Sequence, residues 1–380
     1  MTEIFVFAFD LTESSQIRRL KSFRTLGYRV RSASFRRENM NTAFVPDWPN
    51  IDLGLMQNER YGRRMIGILR GIYRVMQRRD ALSTADVIIA RNFDLLIIAW
   101  ITRWMTGQSH VPLVYECLDI HGLFTRPDAV GAAMRWCERR LLARVQLLLV
   151  SSPGFMRHYF EAIQGYQGQY AILENKLWFD EDPIPRPPLR RSRSSDTPLT
   201  IGWVGSIRCA PSLNLLMETA DHFGDRVAIE IHGNVHRHAL PDFDEQIDRR
   251  DNVSYFGPYE YPDGLAEVYG RCDLVWAQDL WQRGANSDWL LPNRIYEASW
   301  FGCPSIAVAG TETGNKVARN SLGFVVEEPS AKALISLLDG LDRGAVRAMS
   351  DSILSMEDTE FRLVPDAIRV ALQPALSASS

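Results

Sequence analysis

Three small groups of residues in this chain have the types and spacing that chemistry needs. The first lies between Pro292 and Pro304. Asn293 and Glu297 are four residues apart and Trp300 is three further on, so in a helix they share one face, with Arg294 beside Asn293. A carboxylate presented in that way can accept hydrogen bonds from two neighbouring hydroxyls. The second group is Gly205, Ser206 and Arg208, between an apolar run and a helix that begins near Pro211. A glycine turn ahead of a helix offers backbone N–H groups to a phosphate. Arg208 can add a bidentate contact to the same group. The third is Glu116, Asp119 and His121, directly after the apolar run 111–115. Acids and a histidine at the end of a parallel strand stand where α/β sheets place their chemistry, and each can act as a proton acceptor. Taken one at a time, each group also has an ordinary reading as a solvated helix residue, a common turn or a solvated loop.

Those residues need elements to hold them, and the chain supplies the signals. Pro292 suits a first helical turn, Gly302 followed by Pro304 is a stop, and 305–309 is a short apolar strand. Upstream, strands at 4–9 and 28–35 flank a helix over 14–26. This opening lacks Gly-x-Gly-x-x-Gly, which weakens a nicotinamide-dehydrogenase reading. Residues 61–79 form a cationic amphipathic helix. Met65, Ile68, Leu69, Ile72, Tyr73 and Met76 fall on one face, and Arg63, Arg70, Arg74 and Arg78 on another. Packing of that apolar stripe on a sheet is the favoured reading, and contact with anionic lipid is the alternative. Strands at 87–90, 111–115, 145–150 and 170–173 alternate with helices at 94–104 and 129–144. The stretch 180–198 is rich in proline, serine and mixed charge and reads as a linker. Alternation then restarts, with strands at 199–204, 227–232, 252–257, 272–277 and 305–309. Helices lie between them, and the chain is helical from about residue 332. Two α/β domains follow, 1–179 and 199–380, each a doubly wound parallel sheet.

With 380 residues, 46% apolar and 23% charged, the chain has the composition of a soluble globular protein. No stretch is long and apolar enough to span a bilayer, and the first ten residues read as a strand and not as a signal peptide. The five cysteines include no Cys-x-x-Cys pair, which fits reduced thiols and neither a disulfide framework nor a zinc site. The net charge of −3 hides a split. The first 195 residues hold 28 Lys+Arg against 19 Asp+Glu, and the remainder 15 against 27. A basic half suggests an anionic partner, whether a membrane surface, a phosphate-bearing acceptor or nucleic acid; the alternative is that its arginines only decorate solvated helix faces.

The run Glu297-Ala298-Ser299-Trp300-Phe301-Gly302-Cys303-Pro304 resembles the donor-nucleotide segment of GT-B glycosyltransferases, in particular the family 4-like enzymes. Trp289 stands where that family's pattern has its first acid, with Asp288 adjacent. The run Leu113 to Asp119, Asn175 after the strand at 170–173, and Gly257 to Asp273 are similar to further segments of the family. The phosphate-loop region has Pro211, Ser212 and Asn214 where the family has a lysine. The resemblance implies two Rossmann-like domains facing across a cleft: 1–179 for the acceptor, 180–198 as linker, 199–380 for the nucleotide-sugar donor. It implies donor contacts from Gly205, Ser206, Arg208, Asn293, Arg294 and Glu297, with no metal and no cofactor besides the donor. For an inverting enzyme Asp119 is the candidate base, with His121 or Glu116 behind it; a retaining enzyme would not need that base in the same role. The acceptor it implies is a saccharide, carried on a lipid diphosphate at the inner face of a bacterial membrane during exopolysaccharide synthesis. No nucleic acid partner is expected. Two alternatives remain: a non-catalytic carbohydrate-binding relative, and a nucleotide-sugar epimerase of the same fold.

Overall fold

A computed structural model describes residues 1–37, 44–55, 61–179, 184–188 and 197–377, without the side chains of 14 and 61–63. Much of the expected linker, and the side chain of Arg63, therefore lie outside the described residues. The chain divides into two compact units. One comprises Met1–Glu174, Trp178–Glu181 and Val364–Ser380, the other Asn175–Leu177 and Asp182–Leu363.

The first unit is built on a seven-stranded parallel sheet in the order β3-β2-β1-β4-β5-β6-β7. Its elements run β1 (Glu3–Ala8), α1 (Ser14–Thr25), β2 (Arg29–Arg36), β3 (Asn50–Leu55), α2 (Tyr61–Met76) and β4 (Val87–Arg91). Then come α3 (Phe93–Met105), β5 (Leu113–Cys117), α4 (Gly122–Thr125), α5 (Ala129–Leu142), β6 (Leu147–Val150), α6 (Pro153–Phe155) and β7 (Tyr170–Ile172). Strands β1, β4, β5 and β6 are buried at every position, which is why they read as continuous apolar runs without alternation. The helix α3 begins at Asn92, whose side chain accepts from the Leu95 N–H and whose φ of 103° lies in the left-handed region that asparagine tolerates.

The second unit has a six-stranded parallel sheet, β10-β9-β8-β11-β12-β13. It runs β8 (Leu199–Ile207), α7 (Ala210–Phe223), β9 (Val227–Val235), α8 (Phe243–Asp248), β10 (Val253–Gly257), α9 (Leu265–Arg271) and β11 (Leu274–Trp276). It continues with α10 (Asn286–Trp289), α11 (Asn293–Trp300), β12 (Ser305–Val308), α12 (Glu312–Arg319), β13 (Gly323–Val326), α13 (Ala331–Asp339) and α14 (Arg343–Leu354). Its core joins the buried faces of β8, β9 and β11 to α7 and α13, with Trp203 and Trp276 among its largest fully buried side chains.

Two parallel sheets flanked by helices are the α/β architecture expected of the GT-B class. Two departures stand out. The last helix, α15 (Pro365–Leu376), was expected in the second domain, but it packs on β6 and β7 of the first unit. Its buried residues Ile368, Ala371, Leu372 and Ala375 recur at helical spacing and complete that unit's core. The strand β8 also extends to Ile207, past the expected end at 204, so Gly205 and Ser206 sit in the sheet and not in a helix-capping turn.

Candidate active site

In a doubly wound sheet, ligands bind at the carboxyl ends of strands where the strand order reverses. In the second unit that point lies between β8 and β11, since β9 and β10 extend the sheet one way and β12 and β13 the other. Gly205, Ser206 and Arg208 are at the end of β8. Gln278 and Asp279 follow β11.

Gly205 has φ +110° and pairs with Gly233, φ +135°; a Cβ on Gly233 would lie 1.8 Å from the Gly205 carbonyl oxygen. Neither position accommodates a side chain, so the backbone there is bare. Arg294 reaches this spot. Its Nη2 lies 3.9 Å from where a Cβ of Gly205 would be, and its Nη1 donates to the Trp276 carbonyl at the end of β11, 3.3 Å. Arg208 lies within 3.7 Å of the Asp279 carboxylate. The Arg294 guanidinium thus stands beside a glycine backbone and Arg208 ends the same strand with its guanidinium near Asp279, and positive groups at such a strand end suit a diphosphate. The Ser206 hydroxyl is 2.9 Å from Nε2 of His236, a residue that the sequence reading missed. His236 follows β9 directly, so its place at a strand end was the available signal.

The helix α11 carries the remaining donor candidates. Asn293 opens it, and its Oδ1 accepts from Nδ2 of Asn175 at 2.6 Å, bringing together two asparagines 118 residues apart. One turn on, Glu297 is buried and accepts from the Tyr269 hydroxyl at 3.1 Å. The solvated-helix alternative for Glu297 is therefore excluded. Burial first, and Glu297 second, push the Tyr269 hydroxyl pKa well above its usual value, so it stays a donor. Asp288, next to Trp289, is engaged locally: one oxygen accepts from the Gly284 N–H at 2.8 Å, the other meets Arg283 at 2.9 Å. The loop before it is stapled by buried Gln278, whose Oε1 accepts from the Val308 N–H and the Thr311 hydroxyl. Thr311 also caps α12.

In the first unit the three acid–base candidates part company. Glu116 is corrected. It lies inside β5, buried, between Arg19 at 2.9 Å and Arg91 at 2.7 Å. Burial works to raise its pKa, but the two arginines outweigh it and hold the carboxyl below the usual range. Such a group is a structural ion-pair centre and not a free proton acceptor. Asp119 is exposed in the loop after β5. His121 begins α4, with Nδ1 at 3.2 Å from the Leu123 N–H and Nε2 at 3.1 Å from Arg64. A neutral imidazole accepts at one nitrogen only, so the tautomer decides which contact is a hydrogen bond. Arg64 is anchored in turn by Asp94 at 2.7 Å. Burial first, and Arg64 second, depress the His121 pKa.

Among the described residues, one set could offer ligand atoms to a metal. Glu230, His232 and Cys272 bring such atoms within 4.8 Å of one another. Arg271 occupies both oxygens of Glu230, at 2.9 and 3.2 Å, and that pairing competes with a cation.

The chain is similar to known proteins. The glycosyl transferase 4-like domain model matches residues 20–176. The succinoglycan biosynthesis protein ExoL of Rhizobium meliloti is 35% identical over 343 residues, covering 90% of this chain and 85% of that protein. Two solved structures align over 100% of both chains. Anabaena HepE in complex with UDP and glucose has a TM-score of 0.69 at 16% identity, and sucrose-phosphate synthase from Thermosynechococcus elongatus a TM-score of 0.73 at 13%. No helix among the described residues is long and apolar enough to cross a membrane.

Proposed function

This chain belongs to the glycosyltransferase 4-like family, and from that premise we propose that it moves a hexose from a nucleoside diphosphate sugar to a lipid-linked saccharide during exopolysaccharide synthesis. The observation that carries the reading is Arg294 beside the bare backbone of Gly205, with Arg208 following the same strand, at the switch point of the second sheet. As the sugar leaves, negative charge grows on the departing diphosphate. Preorganised positive groups stabilise that charge most where it develops. Arg208, Arg294 and the Gly205 and Ser206 backbone fill this role without a metal ion. Glu297, fixed by Tyr269, accepts hydroxyls of the nucleoside, and Asn293 orients the entrance to α11. Asp119 is the base that deprotonates the acceptor hydroxyl, with His121 and Arg64 behind it.

The polymer is inferred from the named role of the Rhizobium relative, and the donor class from the UDP-glucose complex of Anabaena HepE. The enzyme works on the cytoplasmic side, peripherally at the membrane that carries its acceptor. The test is a panel of nucleotide sugars in thermal denaturation, since a ligand of the folded state raises stability by mass action. One or more members, UDP-glucose first, should raise the melting temperature in the presence of EDTA. Absence of stabilisation across the panel, or stabilisation only with added metal, would contradict this reading.

A further inference from the structure

Several large apolar side chains are exposed on the helices α2, α3 and α5 of the first unit. Strands β3 to β4, β4 to β5 and β5 to β6 all advance in the same direction across a parallel sheet. Right-handed crossovers therefore put their connecting helices α2, α3 and α5 on one side of it. The contacts agree: α2 packs on α3, and α3 on α5. The expected burial of the α2 stripe holds for Ile68 and in part for Ile72 and Met76, but Met65, Leu69 and Tyr73 are exposed. Gly67, Ile68, Gly71 and Val75 form its buried face. A Cβ on Gly71 would come within 2.8 Å of Ile98 of α3, so bare backbone sets the contact. That rotation leaves Leu69 and Tyr73 each 62% exposed, with Met65 at 59%. On α3, Trp104 is 70% exposed and Trp100, one turn earlier, 37%; on α5, Trp136 is 55% exposed.

Single exposed apolar residues need no explanation, but a cluster on one helical layer does. The charges on this layer are positive. Arg70, Arg139 and Arg140 are exposed, and the Arg140 guanidinium lies over the Trp136 ring at 5.1 Å. Arg74 borders the α2 stripe, sharing Asp52 at 3.4 Å. Tryptophan and tyrosine with arginine at their edges suit the level of lipid headgroups, where a ring meets both acyl chain and water and a guanidinium meets phosphate.

We propose that the outward faces of α2, α3 and α5, through Leu69, Tyr73, Trp100, Trp104 and Trp136, dock this chain on an anionic lipid bilayer. The proposal rests on the reading that the acceptor is membrane-borne, and it gives that reading a contact surface. Attachment is apolar as well as electrostatic, so salt weakens it without abolishing it.

The full chain is tested by co-sedimentation with vesicles of phosphatidylcholine, with and without phosphatidylglycerol, beside the exposed-site variant Leu69→Ser/Trp100→Ser/Trp104→Ser. The parent should bind anionic vesicles and remain partly bound at about 1 M salt, where the Debye length is about 3 Å. Brominated lipid should quench part of its tryptophan emission. The variant should bind at least about tenfold more weakly at low salt and lose the quenching. It should keep the parent's melting temperature and its rate with a water-soluble acceptor. Equal vesicle binding by parent and variant would overturn the proposal. So would a parent that ignores vesicles but self-associates through this face, as a loss of dimer in the variant would reveal. A parent that binds vesicles as described but transfers no sugar would leave the docking face standing and remove the functional reading instead.

Discussion

The Tyr269 hydroxyl donates to the Glu297 carboxylate at 3.1 Å, and both side chains are buried. Glu297 therefore has a structural partner in addition to any ligand. Glu297→Ala should weaken nucleotide-sugar binding by about 1.5–3 kcal/mol, typical of a hydrogen bond to a charged group. It should also cost about 1–3 kcal/mol of folding stability, because the buried hydroxyl loses its acceptor. Glu297→Gln keeps an acceptor oxygen, so it should recover most of the stability and less of the affinity. Titration calorimetry and denaturant unfolding separate the two effects. Unchanged affinity in both variants would remove Glu297 from the donor site.

Arg208 directly follows β8 and Arg294, on α11, lies beside Gly205 of that strand, so their effects should be seen in turnover. Each of Arg208→Ala and Arg294→Met should lower kcat by about 10²–10³, the range for loss of one preorganised charge-stabilising group. Nucleoside affinity should change little. Equal kcat at saturating donor would contradict the assignment for that residue.

His121 supplies a pH test. Burial and Arg64 lower its pKa, so the ring stays neutral and proton-accepting below the usual range of about 6.5. Arg64→Gln removes the second of those influences, and the pKa should move back upward. The acid limb of kcat/KM against pH should then shift to higher pH in the variant. Superimposable limbs would show that His121 takes no part in the rate.

Glu138 tests stability in the first unit. It is buried on α5 and accepts from Tyr115, Tyr159 and Gln164. Burial, the leading influence, raises its pKa from 4.5 to about 7. A raised folded pKa contributes stability that is complete below the unfolded value and is lost as pH rises through the folded one. Relative to Glu138→Gln, the parent should therefore lose stability between about pH 4.5 and 7, by at most about 3 kcal/mol. Parallel stability curves for the two proteins would refute this.

Much of the architecture was legible because buried parallel strands are predominantly apolar and their helices carry end signals, as at Pro292 and Gly302. The miscues each have a local cause. Gly205 read as a turn, but its positive φ continues the ladder against Gly233, so β8 runs on. Part of the α2 face was misjudged because Gly71, which lets the helix pack closely on Ile98, carries no hydrophobic signal. Glu116 looked like a loop acid because its partners, Arg19 and Arg91, lie 97 and 25 residues away in sequence. Residues 365–376 continue the helical pattern of the second half and say nothing of which core they complete. The family-like segment around Glu297 was recognisable because one helix holds most of it; the approach of Arg294 to Gly205 joins residues from separate elements and appears only in the fold.

The most direct test is transfer itself. A labelled nucleotide sugar is incubated with a polyprenyl-diphosphate saccharide and the enzyme, in EDTA, and organic extraction counts label carried by the lipid. The account predicts labelled lipid that depends on the acceptor, persists without metal, and falls by about two orders of magnitude or more in Arg294→Met. Label released only as free sugar, at a rate indifferent to the acceptor, would contradict it.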